Sequence, residues 1–179
     1  MACTAGDRNN GNCKEKGRAM DEELLRIYED DQADRRGHPL TSEAQERDRQ
    51  RRQRVQELIE AGALADAPDY FHAAVVFQHG EHLDDFWRVY ELARRSMDLG
   101  NRTNLAALAY DRWLMHQGKP QKFGSQSRLV NGRYVMWKTD PATTDAKRAA
   151  WHMPPLAKLQ RQVDACNRDL PPPSADAAR

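Results

Sequence analysis

Cysteine is scarce, with three in 179 residues. Cys3, Cys13 and Cys166 show no metal-ligand spacing and read as incidental thiols of a reducing compartment; only export would let Cys3 and Cys13 cross-link. Long apolar runs are lacking too, and nothing approaches the roughly 18 residues of a membrane span. The first residues, MACTAGDRNNGNCKEKG, hold no apolar core and do not read as an export signal, so the cytoplasm is the expected compartment. Nor does charge of one sign dominate. Lys and Arg number 28 against 27 Asp and Glu, a formal net charge of +1, which argues against a broad electrostatic footprint for nucleic acid.

What is present is enough for one domain. The chain is 39% hydrophobic and 31% charged, long enough to bury a core, with its polarity concentrated at the ends. Residues 1–19 and 171–179 lack large apolar groups and are expected to be disordered tails around a single helical domain at 20–170. MDEELLRIYEDDQADRR predicts an amphipathic helix of about four turns, broken by GHPL. TSEAQERDRQRRQRVQELIEAGAL restarts with a Thr or Ser cap. Its five arginines within ERDRQRRQR are offset by acids, and no aromatic residue is interleaved for base stacking, so a solvated helix is the better reading.

From Pro68 the apolar density rises. PDYFHAAVVFQHG, LDDFWRVYELARRSMDLG and RTNLAALAYDRWLMHQG predict three helices closed by Gly80, Gly100 and Gly118, packed antiparallel across short turns. The pair from 69 to 100 resembles one unit of a helical repeat, with Ala73, Ala74 and Ala93 where helices would approach. One unit does not establish a solenoid. The expectation is a mainly α, antiparallel helical bundle. Near 127–138 the period changes, and SRLVNGRYVMWKTD carries Asn131-Gly132 between β-branched and aromatic residues, the mark of a small β-hairpin. A turn at Asp140-Pro141, a short Thr-capped helix, a break at Pro154-Pro155 and a last amphipathic helix follow.

Several polar residues stand where apolar ones belong. His72 and His79 are seven apart, about −20° in helical projection, and share a face with Val75 and Val76. A buried imidazole or carboxamide left unpaired costs roughly 1–3 kcal/mol, so Gln78 and His79 need partners, and Asp111 and Arg112 on the third helix are the nearest candidates. The bland alternative is a satisfied structural network. The loop GKPQKFGSQ follows, with a Pro that fixes φ, a Gly that permits close backbone approach, and Gln121, Ser125 and Gln126 able to hydrogen-bond. It suits an amide, carboxylate or sugar-like ligand. It lacks the glycines and Lys-Ser/Thr of a phosphate loop.

The order LLRIYEDDQADRR, FQHG, YDRWLMHQGKPQKFGSQ and DPATTDAKRAAWHMPPLAK resembles a widespread bacterial family known only as a domain of unknown function. The likeness covers about residues 22–160. It places Asp31, Gln32, Arg35, Gln78, His79, Asp111, Arg112, Gln121, Gly124, Gln126, Asp145 and Arg148 in one set. This chain has Phe123 and Ser125 where the pattern has Tyr and Thr, and so loses one phenolic proton donor. The resemblance implies no established chemistry.

These residues support two expectations. In the first, the protein is a small metal-free acid/base enzyme with His79 as general acid/base, Asp111 orienting it, and Arg112 holding a substrate carboxylate. Gln78, Gln121 and Gln126 would fix amide or carbonyl groups, Lys122, Gly124 and Ser125 would complete the binding loop, and Asp31, Gln32, Arg35, Asp145 and Arg148 would support it. A peptide or amino-acid-derived metabolite suits that set, with cyclisation or hydrolysis as the reaction class and no cofactor required. In the second, the same helices form a non-catalytic module that binds a peptide or protein partner. A metal held by His72, His79 and Asp111 is a weaker idea, since the two imidazoles start about 10.5 Å apart along their helix.

Overall fold

Alanine decides where the helices meet. The computed structural model describes residues 10–36, 41–168 and 170, with side chains from Glu22 onward. Helices α1 (Asn10–Asp34), α2 (Ser42–Glu60), α3 (Ala67–Phe77), α4 (Leu83–Asp98) and α5 (Leu105–His116) come first. Ala73 and Ala74 of α3, Ala93 of α4 and Ala106 of α5 are fully buried in one core with Leu24, Val55, Leu58, Val76 and Val89. A methyl-sized side chain lets two backbones approach closely, and larger residues fill the flanking space. Short turns join α3 to α4 and α4 to α5, which forms the helical hairpin expected at 69–100. Ser96 ties that hairpin together, its hydroxyl donating to the Ala67 carbonyl at 2.6 Å and accepting from Asn101 Nδ2 at 3.0 Å.

Local signals set most helix ends. Thr41 caps α2 by accepting the Ala44 N–H. Asp66 accepts the Asp69 N–H while the Asp69 carboxylate accepts those of Ala65 and Asp66, a reciprocal capping box. Inside the first turn of α4, Asp85 accepts the N–H groups of Glu81 and His82. The arginines of α2 are engaged: Arg47 and Arg51 bond Asp34, Arg54 bonds Glu23 and Glu57, and Arg52 donates to the His79 carbonyl. Hydrogen bonds from Arg47 and Arg51 hold the Asp34 carboxyl well below the usual carboxylate range.

One boundary moves. The sequence places the first helix from about Met20, whereas α1 is helical from Asn10. Packing of Leu24 pays the nucleation cost, and extending an existing helix is nearly neutral per residue. Residues 1–9, the break at 37–40 and the tail at 171–179 lie outside the described residues. Among the described residues no helix is long and apolar enough to cross a membrane.

After α5 the chain forms strands β1 (Ser127–Val130) and β2 (Arg133–Met136), antiparallel with Val130 opposite Arg133. Asn131 and Gly132 both take positive φ, 49° and 74°, the geometry of a two-residue turn that matches strand twist. A Cβ at Gly132 would touch nothing. Gly132→Val should therefore cost about 1–3 kcal/mol from backbone strain alone; a urea midpoint equal to the parent's would contradict this. The outer edge of β2 is covered: Asn167 accepts the Tyr134 N–H and donates to its carbonyl, both at 2.8 Å. Asn167 belongs to α7 (Leu156–Arg168), which follows the short helix α6 (Asp145–Ala150). Cys166 is exposed on α7. A second, smaller core of Ala107, Phe123, Met153 and Leu159 joins α5, the 119–126 loop and α7.

Candidate functional site

Asp111 answers to the loop. Fully buried on α5, its carboxylate accepts four hydrogen bonds: Oδ1 from the N–H groups of Lys122 and Phe123 at 2.6 and 2.9 Å, Oδ2 from the Ser125 N–H and hydroxyl at 3.0 and 2.9 Å. Three backbone donors that a tight loop would leave orphaned are thereby satisfied. This corrects the expectation that Asp111 orients His79.

Gln121 and Arg148 complete the frame. Gln121 is also fully buried. Its Nε2 donates to the carbonyls of Gln126 and Trp137 at 3.0 and 2.8 Å, and its Oε1 accepts the Gln126 N–H at 2.7 Å. Gln126 Nε2 donates to the Leu108 carbonyl and to Ser125 Oγ. From α6, Arg148 donates to the carbonyls of Phe123 and Thr143 at 2.9 and 2.7 Å and pairs with Asp145. Asp145 in turn accepts the Leu156 N–H at the start of α7. Gly124 has a φ of +91°, which favours glycine, and a Cβ there would lie 2.7 Å from Leu156 Cδ1, so the leucine tip would have to shift. The polar groups of Gln121, Ser125 and Gln126, expected to hold a substrate, hold the loop.

His79 stands in a different cluster. Its Nε2 lies 3.3 Å from Asp31 Oδ2 and 3.4 Å from Gln78 Nε2. Asp31 also accepts from Gln32 and faces Arg35, which bonds Asp48 of α2. Asp31, Gln32, Arg35, Gln78 and His79 thus gather where α1, α2 and α3 converge. Arg112 adjoins this cluster, donating to the Gln78 carbonyl at 3.0 Å with its guanidinium over the Phe86 ring. Arg112 and Arg52 between them take the carbonyls of Gln78 and His79, just past the end of α3, where no further helical turn supplies a donor. Burial pushes the Arg112 guanidinium below its ordinary range.

The single pocket expected for His79, Asp111 and Arg112 is therefore divided. Adjacent residues on a helix diverge by about 100°, so Asp111 turns to the loop and Arg112 to the end of α3. The His72, His79 and Asp111 metal idea fails on the same geometry. His72 stacks on Tyr28 at 4.3 Å, and among the described residues no group of three or more potential ligands could hold a metal ion.

Beside the loop lies a cleft of about 340 Å³ lined by Tyr90, Tyr110, Lys122, Phe123, Thr143, Lys147, Ala150 and Trp151. The space at His79 is about 70 Å³ and that at Arg112 about 50 Å³, room for a few waters or a small ion. In the cleft, Tyr90 and Trp151 are nearly parallel, 12° apart with centroids separated by 6.4 Å, and Phe123 and Tyr110 flank them at 5.0 and 5.2 Å. Arg94 lies over the Trp151 ring at 5.1 Å. Thr143 is 4% exposed and its hydroxyl finds no partner among the described residues.

No family model, curated protein or solved structure matches this chain. The site rests on its own geometry. Of the cleft residues, the sequence marks Lys122 as a binding residue and Phe123 only as a departure from the family pattern. Tyr90, Tyr110, Thr143, Lys147 and Trp151 come from α4, α5, the 140–144 turn and α6, and each reads alone as an ordinary core or surface position. The one signal in the sequence is the aromatic density of DDFWRVY and AYDRW.

Proposed function

We propose that the protein is a binding module and that the aromatic cleft is its recognition site for a small molecule or a peptide. The carrying observation is a division of roles around the loop. Asp111, Gln121, Gln126 and Arg148 spend their polar groups on holding backbone, while Lys122, Lys147, Thr143 and two phenols surround a cavity of about 340 Å³, a volume in the range that small-molecule sites occupy. The frame is pre-formed, which lowers the ordering cost of binding.

The test is a thermal-shift screen of peptides and metabolites, followed by titration of each hit. Hits should weaken at least about ten-fold in Trp151→Leu and Tyr90→Leu, which remove aromatic contact area, and should be unchanged in His79→Gln. Hits that depend on His79 and ignore Trp151 would sink the cleft reading. They would favour the second reading, an acid/base enzyme of hydrolase or cyclase type. That reading is supported by the His79–Asp31 pair at 3.3 Å and by the partial exposure of His79, since an imidazole held by a carboxylate is the usual form of a general base. Membership of the domain-of-unknown-function family and a cytoplasmic location belong to the same proposal and rest on the sequence.

A further inference from the structure

We infer that the cleft takes an anionic aromatic ligand: a planar ring against Trp151 and Tyr90, carrying a carboxylate or phosphate directed at Lys122 and Lys147. This rests on the cleft being a recognition site and adds its chemistry. Four aromatic side chains line the opening, together with two lysines and no carboxylate. Four rings alone would also suit a quaternary ammonium, the ligand that aromatic cages recognise. The lysines oppose that choice. Lys122 forms no ion pair among the described residues, and Lys147 is held only through a 3.2 Å bond from its Nζ to the Ala142 carbonyl. The Trp151 face already carries the Arg94 guanidinium, itself paired with Asp98 at 2.9 Å.

The buried acid under the loop is already engaged. Asp111 lies beneath Lys122 and Phe123 with both oxygens occupied by loop donors. Thr143 also lines the cleft, with its hydroxyl buried and without a partner among the described residues. Ring and acid are thus read by different residues of one cavity, the aromatic side chains and the two lysines.

The experiment uses the full chain and four simple probes: benzoate, phenyl phosphate, neutral benzamide and phenyltrimethylammonium. Each is titrated while amide shifts of residues 119–126 and the Trp151 indole signal are followed by NMR. Benzoate or phenyl phosphate should bind about ten-fold more tightly than benzamide, the factor two solvent-facing ion pairs supply together. The preferred anion tells carboxylate from phosphate. The advantage should fall with added salt and vanish in Lys122→Gln/Lys147→Gln, which alters only exposed side chains and should melt like the parent. Equal binding of benzamide, or tighter binding of phenyltrimethylammonium, would overturn the anion assignment and leave the cleft standing. No shift at the cleft with any probe would overturn the recognition site itself, and the assignment with it.

Discussion

Asp111→Ala is expected to lower unfolding stability by about 3–5 kcal/mol, near the upper end for a single substitution. Its carboxylate is fully buried and accepts from three backbone N–H groups and one hydroxyl. Truncation removes all four acceptor contacts at once and leaves donors facing a void under Lys122 and Phe123. Hydrogen bonds to a charged acceptor each contribute about 1.5–3 kcal/mol, and they do not add fully when they share one group. Asp111→Asn should fall between the variant and the parent, because a carboxamide keeps one acceptor oxygen and turns an NH₂ toward two of the four donors. Urea unfolding followed by circular dichroism measures both. A loss below about 1 kcal/mol in Asp111→Ala would show that the loop holds its shape without the carboxylate.

Gln121→Glu should make stability depend on pH in a way the parent's is not. The side chains are nearly isosteric, but the Gln121 amide donates to the carbonyls of Gln126 and Trp137. Glutamate can sit there only as the protonated acid, so its folded-state pKa must rise above the unfolded value of about 4.3. Between those two values the unfolded chain has released a proton that the folded chain retains. Stability relative to the parent therefore falls as pH rises through that window, by about 1.4 kcal/mol per unit. The variant should approach the parent's stability at pH 4 and be most impaired once the pH exceeds its folded pKa. A difference between the two proteins that stays flat from pH 4 to 8 would mean the loop opens and hydrates the new carboxylate.

The sequence by itself determined the helices, the threonine caps of α2 and α6 and the hairpin. These follow from interactions within a few residues: the 3.6-residue period of α3 to α5, the Thr41 cap, and the Asn131-Gly132 turn whose positive φ angles strands β1 and β2 require. Of the buried polar residues it picked out Asp111 and Gln121 by their place in the pattern and Asp31 and Arg148 through the family resemblance, and it left Asp48, Asp69, Ser96 and Thr143 unmarked. A charged or amide side chain on an apolar face must find a partner, and the pattern of the face is visible locally.

The tertiary structure alone decided which partner each would find. Asp111 and Arg112 stand side by side in the chain, yet one holds the loop and the other the end of α3, because their directions on α5 diverge and different elements lie in each. His79 meets Asp31, nearly fifty positions earlier, because α1 returns past the end of α3. The cleft was illegible for the same reason. Tyr90, Tyr110, Thr143, Lys147 and Trp151 share no period and no spacing; their common wall exists only once α4, α5, the loop and α6 have packed. Local pattern reports how much burial a side chain expects, while the identity of its neighbours is a property of the packed fold.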